Sequence, residues 1–284
     1  MKEYLKPEYI EAFIKSALQE DIGDGDHSTL ASVPAEAMNR AHLIIKDEGI
    51  IAGLALAEQI FKTFDPTLEV QILLQDGDKV KKGDIGMTVK GKARSILTTE
   101  RLVLNCLQRM SGIATHTNRL VQLIKGTKTQ LLDTRKTTPN FRIAEKWAVS
   151  IGGGSNHRFA LYDMIMLKDN HIDYAGGIAA AMSATKKYLA NTGKNLKIEV
   201  ETRTLEEVRE AVQVGGMDFI MLDNMSPDTM REALKIIDGK YLTEASGGIT
   251  EATLQAVAAC GVDYISVGAL THQVNSLDMS LKAY

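Results

Sequence analysis

The sequence predicts an α/β protein in which a small mixed α+β domain is followed by a parallel βα barrel with fewer than eight strands. Two observations carry this. Beyond residue 100, short apolar strands recur at a nearly constant spacing, and some, such as FIML, are apolar throughout, as strands buried on both faces of a parallel sheet must be. Before residue 100, short alternating strands are mixed with helical segments and turn residues. A length of 284 residues suits two domains or one large barrel.

Taken in order, EYIEAFIKSALQ (8–19) and AGLALAEQIFKTF (52–64) carry apolar residues at helical spacing. HLIIK (42–46), LEVQILL (68–74) and GMTVKG (86–91) read as strands, with Asp76-Gly77-Asp78 as a turn. DGDKVKKGD has the outline of a carrier-domain hairpin but no modified-lysine motif, and reads as an ordinary turn. The first domain is expected over residues 1–112. It ends in a long helical segment, TTERLVLNCLQRMSGIATHTNRLVQLIKG, with a break expected at Ser111-Gly112.

The strands QLLD, DMIMLK, LKIEVE, FIMLD, YLTEAS and YISVG then close on Asp133, Lys168, Glu201, Asp223, Ser246 and Gly268, separated by 35, 33, 22, 23 and 22 residues. A spacing of about 22 leaves room for one short strand, one short helix and two loops, which is a βα unit at minimum length. Thr204-Leu205-Glu206-Glu207 reads as a capping box, Ser226-Pro227 and Thr250 as further helix starts, and Gly215 and Gly261 as helix ends. The barrel is expected over residues 113–269. Residues 270–284 are expected to form a terminal helix that joins the first domain.

Composition removes several functions. A formal net charge of -3 argues against nucleic-acid binding through a general basic surface. No window of 18 apolar residues marks a membrane span, and the N-terminus lacks the apolar core of a signal peptide. Cys106 and Cys260 lie in apolar helical stretches, the usage of a reducing cytosol, so a cytoplasmic protein is expected.

In a βα barrel, catalytic groups stand at the C-terminal ends of strands, where the loops converge. DTRKTTPN (133–140) places Arg135 beside Lys136, GGGSNHR (152–158) adds His157 and Arg158, and Lys168 closes the next strand. Five cationic or potentially cationic groups within 34 residues of a net-acidic chain suggest a pocket for a ligand with several negative charges. Glu201 and Asp223 end neighbouring strands, where they suit Mg²⁺ shared with a phosphate ligand, or stabilisation of a developing carbocation. Glu199 shares a face with Glu201; Glu201 is preferred because it lies nearer the strand end. Ser246-Gly247-Gly248 and Gly268 close the last two strands, where backbone N–H groups and helix N-termini make the usual barrel phosphate site. The remaining histidines, His27, His42, His116, His171 and His272, lack metal-ligand spacing and read mostly as structural or surface residues.

In order and spacing, DTRKTTPN, KWAVSIGGGSNHRF, MIMLKDNHI, KIEVE, IMLDNM, EASGGI and DYISVGALTH resemble the quinolinate phosphoribosyltransferase family, and the likeness covers nearly the whole chain. The resemblance implies an open-faced α/β sandwich followed by an incomplete α/β barrel. It also implies transfer of phosphoribosyl from phosphoribosyl pyrophosphate to quinolinate with decarboxylation, giving nicotinate mononucleotide, pyrophosphate and CO₂, with Mg²⁺ as cofactor. Carried over residue by residue, Arg135, His157, Arg158 and Lys168 hold quinolinate, and Lys136 lies near the diphosphate. Glu201 and Asp223 hold the ribose and its Mg²⁺, with Glu201, Asp223, Lys136 and Lys168 forming the catalytic set. Ser246, Gly247, Gly248 and Gly268 take the 5′-phosphate. TERLVLN resembles the segment whose arginine, here Arg101, enters the partner's active site, which implies a homodimer with shared sites, or a higher oligomer built on it. Asn140 stands where the family often has glycine, and asparagine tolerates positive φ.

Other readings leave distinguishable traces. Nicotinate phosphoribosyltransferase would act on a monoacid, whereas the density of Arg135, Arg158 and Lys168 favours a diacid. A Schiff-base aldolase would need Lys168 desolvated as an amine nucleophile. A non-enzymatic phosphate sensor would be expected to have lost a strand-end carboxylate or cation, and none is lost.

Overall fold

Alternating and continuous apolar strands fold into two different kinds of sheet. The computed structural model describes residues 3–284. Its strands are β1 (Met38–Ile45), β2 (Gly49–Ile50), β3 (Glu69–Ile72), β4 (Lys79–Val80), β5 (Ile85–Lys92), β6 (Gln130–Leu132), β7 (Ile165–Leu167), β8 (Ile198–Thr202), β9 (Phe219–Asp223), β10 (Leu242–Ser246), β11 (Tyr264–Ser266) and β12 (Met279–Ala283). The chain divides into a first unit, Met1–Arg119, Lys136–Gly154 and Ala269–Tyr284, and a second, Leu120–Arg135 and Ser155–Gly268.

The first unit holds an antiparallel sheet in the order β12-β1-β5-β3 and the small pair β2-β4. Leu43, Ile45, Met87 and Val89 are buried on one face of the sheet, and Leu56, Ile60 and Phe61 are buried from the helix Leu54–Phe64, which packs against β3. That helix has no side-chain cap of its own residue Gly53; the Asp76 carboxylate accepts from Leu54 N and Ala55 N instead.

Two expectations in this unit are corrected. The C-terminal segment is a four-residue helix, Ala269–His272, followed by β12, which pairs antiparallel with β1, Leu281 opposite Leu43. Leu277, Met279 and Leu281 are buried at a period of two, which fits a strand and defeats a helix. The helix Ala93–Leu123 is also continuous through Ser111-Gly112. Ser111 Oγ, wholly buried, bonds the backbone of Ala52, and a Cβ on Gly112 would collide with the Asn275 carbonyl. The glycine is there for a close backbone approach, at a helix cost of about 1 kcal/mol against alanine.

The second unit is a parallel sheet in the order β6-β11-β10-β9-β8-β7. This is chain order closed into a ring and left open between β6 and β7, the incomplete barrel. β8 is buried along its whole length. The helices start where read: Thr204 Oγ1 accepts from Glu207 N and Ser226 Oγ from Thr229 N, and Thr250 N donates to Thr253 Oγ1; the expected capping box at Thr204 is only half formed, because the Glu207 carboxylate accepts from Arg203 N. No helix among the described residues is long and apolar enough to cross a membrane.

Candidate active site

At the C-terminal ends of β6 to β11, the second unit gathers Arg135, His157, Arg158, Lys168, Glu201, Asp223, Ser246, Gly247, Gly248 and Gly268. Asp133, wholly buried just past β6, sets the NHR segment: its Oδ1 accepts from His157 N at 2.9 Å and its Oδ2 from the Asn156 amide. Asp163 accepts from Phe159 N and Ala160 N and so holds the turn that follows. Arg158 donates to the Met164 carbonyl at 3.2 Å. Burial, and then the neighbouring Arg135 charge, hold the Arg158 guanidinium below its ordinary pKa. Two neighbouring cations repel one another, and a ligand with two carboxylates would relieve that repulsion.

Glu201 is buried at the end of β8, where its Oε1 accepts from Asp169 N at 3.4 Å. Burial first, then the Asp223 charge, raise its pKa, while Lys168 acts in the opposite direction. Asp223 and Lys168 therefore both lie close enough for Glu201 to feel their charges. Two repelling carboxylates with hard oxygens, at the mouth of the barrel, suit Mg²⁺, which takes one or two protein carboxylates and completes its shell with water and substrate phosphate. The donor set fits the ion that the resemblance implies.

Asn224, at φ 54°, joins this group to the next strand end. Its amide donates to Asp223 Oδ2 at 2.7 Å and its backbone N to the Ser246 carbonyl at 2.9 Å. A Cβ on Gly247 would strike the Asn224 side chain, and Gly247 and Gly248 both take positive φ, at 91° and 61°. Only glycine accepts both demands easily. The turn runs into the helix Glu251–Ala258.

Sequence reasoning missed the deepest part of the site. Glu199 and Glu244 are wholly buried, and His157 Nε2 lies 2.8 Å from Glu199 Oε2 and 3.3 Å from Glu244 Oε2. Burial opposes an imidazolium, yet hydrogen bonds to the two carboxylates and their charges outweigh it and raise the His157 pKa to about 10. Against full protonation, Arg158 N donates to His157 Nδ1 at 2.7 Å, a contact that a second ring proton would break. Nε2 carries a proton in either form. Alternation along EVE could have flagged Glu199, which was set aside in favour of Glu201; Glu244, in YLTEAS, gives no such signal.

Two expected site residues belong to the first unit. Lys136 is exposed, on a loop whose carbonyl accepts from Thr271 Oγ1 at 2.7 Å, and Arg101 is exposed on the helix Ala93–Leu123. Asn140, on the same loop, takes φ 61°, where asparagine is tolerated.

Comparison with known proteins gives the family. Models of the N-terminal and C-terminal domains of quinolinate phosphoribosyl transferase match residues 26–111 and 113–282. Quinolinate phosphoribosyltransferase (decarboxylating) 1b of Nicotiana tabacum is 45% identical, over 96% of this chain and 82% of that protein. A probable nicotinate-nucleotide pyrophosphorylase (carboxylating) of Bacillus subtilis is 46% identical, over 92% and 89%. Among solved structures, nicotinate-nucleotide pyrophosphorylase from Francisella tularensis is 40% identical with a TM-score of 0.88, covering 97% of this chain and 96% of that one. Human nicotinic acid phosphoribosyltransferase, 13% identical with a TM-score of 0.60 over 96% of this chain and 74% of that one, shares only the fold. With both domain models matched and relatives this similar over nearly its whole length, the chain belongs to the quinolinate phosphoribosyltransferase family.

Proposed function

We propose that this chain transfers phosphoribosyl from phosphoribosyl pyrophosphate to quinolinate, with loss of CO₂, to give nicotinate mononucleotide and pyrophosphate in de novo NAD biosynthesis. The observation that carries the reading is a strand-end opening where the Arg158 guanidinium feels the charge of Arg135, and where Glu201 feels the charges of Asp223 and Lys168. Two neighbouring guanidiniums match a substrate with two carboxylates better than a monoacid such as nicotinate.

In this reading Arg135 and Arg158 hold the two ring carboxylates, with Lys168 and His157 at their side, and so aim the ring nitrogen at the ribose. Glu201 and Asp223 face the anomeric carbon and stabilise the positive charge that grows as the bond to pyrophosphate breaks. Glu201 and Asp223 would hold Mg²⁺, which would supply charge neutralisation for the diphosphate. Lys136 adds a cation for the same diphosphate, and the Ser246-Gly247-Gly248 turn with Gly268 takes the 5′-phosphate. Once the nitrogen is ribosylated, the carboxylate on the adjacent carbon leaves as CO₂. Its bonding electrons remain beside the cationic nitrogen, and a proton then takes its place. The protein needs no covalent nucleophile.

Incubation with quinolinate, phosphoribosyl pyrophosphate and Mg²⁺ should yield nicotinate mononucleotide and CO₂ in equal amounts. Mononucleotide formed from nicotinate, with quinolinate untouched, would replace this reading by nicotinate phosphoribosyltransferase.

The same proposal makes the enzyme a cytosolic homodimer in which each chain lends Arg101 to its partner's site; the cytosolic placement rests on two free cysteines, Cys106 and Cys260. Arg101→Ala and Glu201→Gln, each nearly inactive alone, should complement when refolded together. With free mixing, about half the dimers are hybrids with one intact site of two, so activity should recover to roughly a quarter of wild type. Hybrids confirmed by mass but without recovered activity would place Arg101 outside the partner's site.

A further inference from the structure

The deepest polar group in the second unit is a pair of carboxyls with one imidazole between them. Glu199 and Glu244 come from β8 and β10, are wholly buried, and each leaves its Oε1 without a hydrogen-bond partner. The three ligand-type atoms, from His157, Glu199 and Glu244, all lie within 4.8 Å of one another. Such a cluster is costly to bury, because each carboxyl group loses water, and His157 is the one cationic group among the described residues that answers a pair of carboxyls set against one another. A cluster that costs stability is often retained where it serves a function.

Its connections run in one direction. His157 Nε2 donates to Glu199 at 2.8 Å, with Glu244 at 3.3 Å, and that fixes Nδ1 as the atom facing the backbone. Nδ1 then accepts from Arg158 N at 2.7 Å. His157 N is tied in turn to Asp133. The imidazole is thus a post between the buried carboxyls and the start of Arg158, whose guanidinium also feels the Glu199 charge. The family resemblance implies that His157 holds quinolinate directly, but both of its ring nitrogens are engaged within the protein.

We propose that Glu199 and Glu244 are positioning residues for the substrate diacid: by accepting the Nε2–H of His157 they set its ring, and through Nδ1 they fix the Arg158 backbone that presents the guanidinium. The proposal rests on the reading of Arg158 as a quinolinate ligand. Catalysis at the anomeric carbon is left to Glu201 and Asp223, one layer nearer the barrel mouth.

Steady-state kinetics of Glu199→Gln and Glu244→Gln in the full-length enzyme, with Arg158→Lys in parallel, test it. Both carboxamide variants should raise the quinolinate KM about tenfold or more, while the phosphoribosyl pyrophosphate KM stays within about twofold. Glu199→Asp should recover part of the loss. A purely structural role would lower the active fraction, and hence kcat, and leave KM unchanged; that result overturns the proposal. So does a stoichiometric transition metal in purified enzyme, measured by mass spectrometry and lost in Glu199→Gln, which would make the cluster a metal site. If one variant does not fold, the other carries the test, because each faces the same Nε2 proton. If Arg158→Lys leaves the quinolinate KM unchanged while the carboxamides raise it, the assignment of Arg158 fails, and the proposal, which runs through Arg158, fails with it. If Arg158→Lys raises it and neither carboxamide does, the positioning role fails alone.

Discussion

In the first unit, the wholly buried Glu145 meets Arg109 at 3.0 Å and accepts from Thr138 N and Oγ1, each at 3.0 Å. In the second, the wholly buried Glu199 and Glu244 share one imidazole and leave one oxygen each unpaired. The first arrangement satisfies its charge and ties distant chain segments: Arg109 also donates to the Val274 and Thr271 carbonyls, while Thr138 belongs to the loop that carries Lys136. The second arrangement leaves polar groups unsatisfied beside the expected substrate. One is built for stability and the other for the placement of ligand-binding groups, and the two should fail differently.

The largest effect is expected where the satisfied cluster is broken. Arg109→Ala leaves Glu145 buried without its cation, which for a buried pair costs about 3–5 kcal/mol. The loss should show as a lower midpoint of chemical denaturation. Glu199→Gln should cost far less stability, because it removes one of two like charges that already repel. Equal losses in the two variants would erase the distinction between the clusters.

Within the second unit, Glu201→Gln and Asp223→Asn should reduce kcat by roughly a hundredfold, about 3 kcal/mol, with the quinolinate KM little changed. Charge stabilisation strengthens as the ribosyl cation develops, so the loss falls on turnover. A raised quinolinate KM with kcat intact would move these carboxylates to the acceptor pocket. Arg158→Lys comes next, with a loss of about 2 kcal/mol in quinolinate binding, because a point ammonium cannot reproduce paired contacts to a carboxylate. Titration calorimetry with quinolinate reads this directly, and wild-type affinity would place Arg158 outside the pocket.

The two units also differ in how far the sequence reveals them. The regular spacing from Glu201 through Asp223 and Ser246 to Gly268 reads as βα units because a parallel barrel repeats one local structure, and function collects at the same point of each repeat. The antiparallel unit has no such repeat, and its C-terminal strand draws its order from pairing with residues more than 200 positions away, Leu281 with Leu43. Local pattern then misleads: the spacing at 277, 279 and 281 lies inside a segment that also admits a helix. Buried charge is invisible for a related reason. Glu145 and Glu244 are ordinary surface residues to a periodicity argument, and only the partners brought by the fold, Arg109 and His157, make them tenable inside.

The smallest expected effect compares two asparagines in the left-handed region, one in each unit. Asn140 takes φ 61° and is exposed; Asn224 takes φ 54° with its amide on Asp223 Oδ2 and its side chain against Gly247. Glycine accepts this backbone conformation without strain but removes the amide. Asn140→Gly should therefore change stability by no more than about 0.5 kcal/mol, since relief of strain and the greater freedom of the unfolded chain nearly cancel. Its kcat and both KM values should stay at wild type. Asn224→Gly keeps the same backbone but loses a hydrogen bond to a carboxylate assigned to the ribose, and with it the wall of the turn assigned to the 5′-phosphate. A loss of about 1 kcal/mol, or roughly fivefold in kcat/KM for phosphoribosyl pyrophosphate, is expected, with the quinolinate KM unchanged. Matching kinetics in the two variants would mean that both asparagines serve only the backbone, and would detach Asn224 from the phosphoribosyl site.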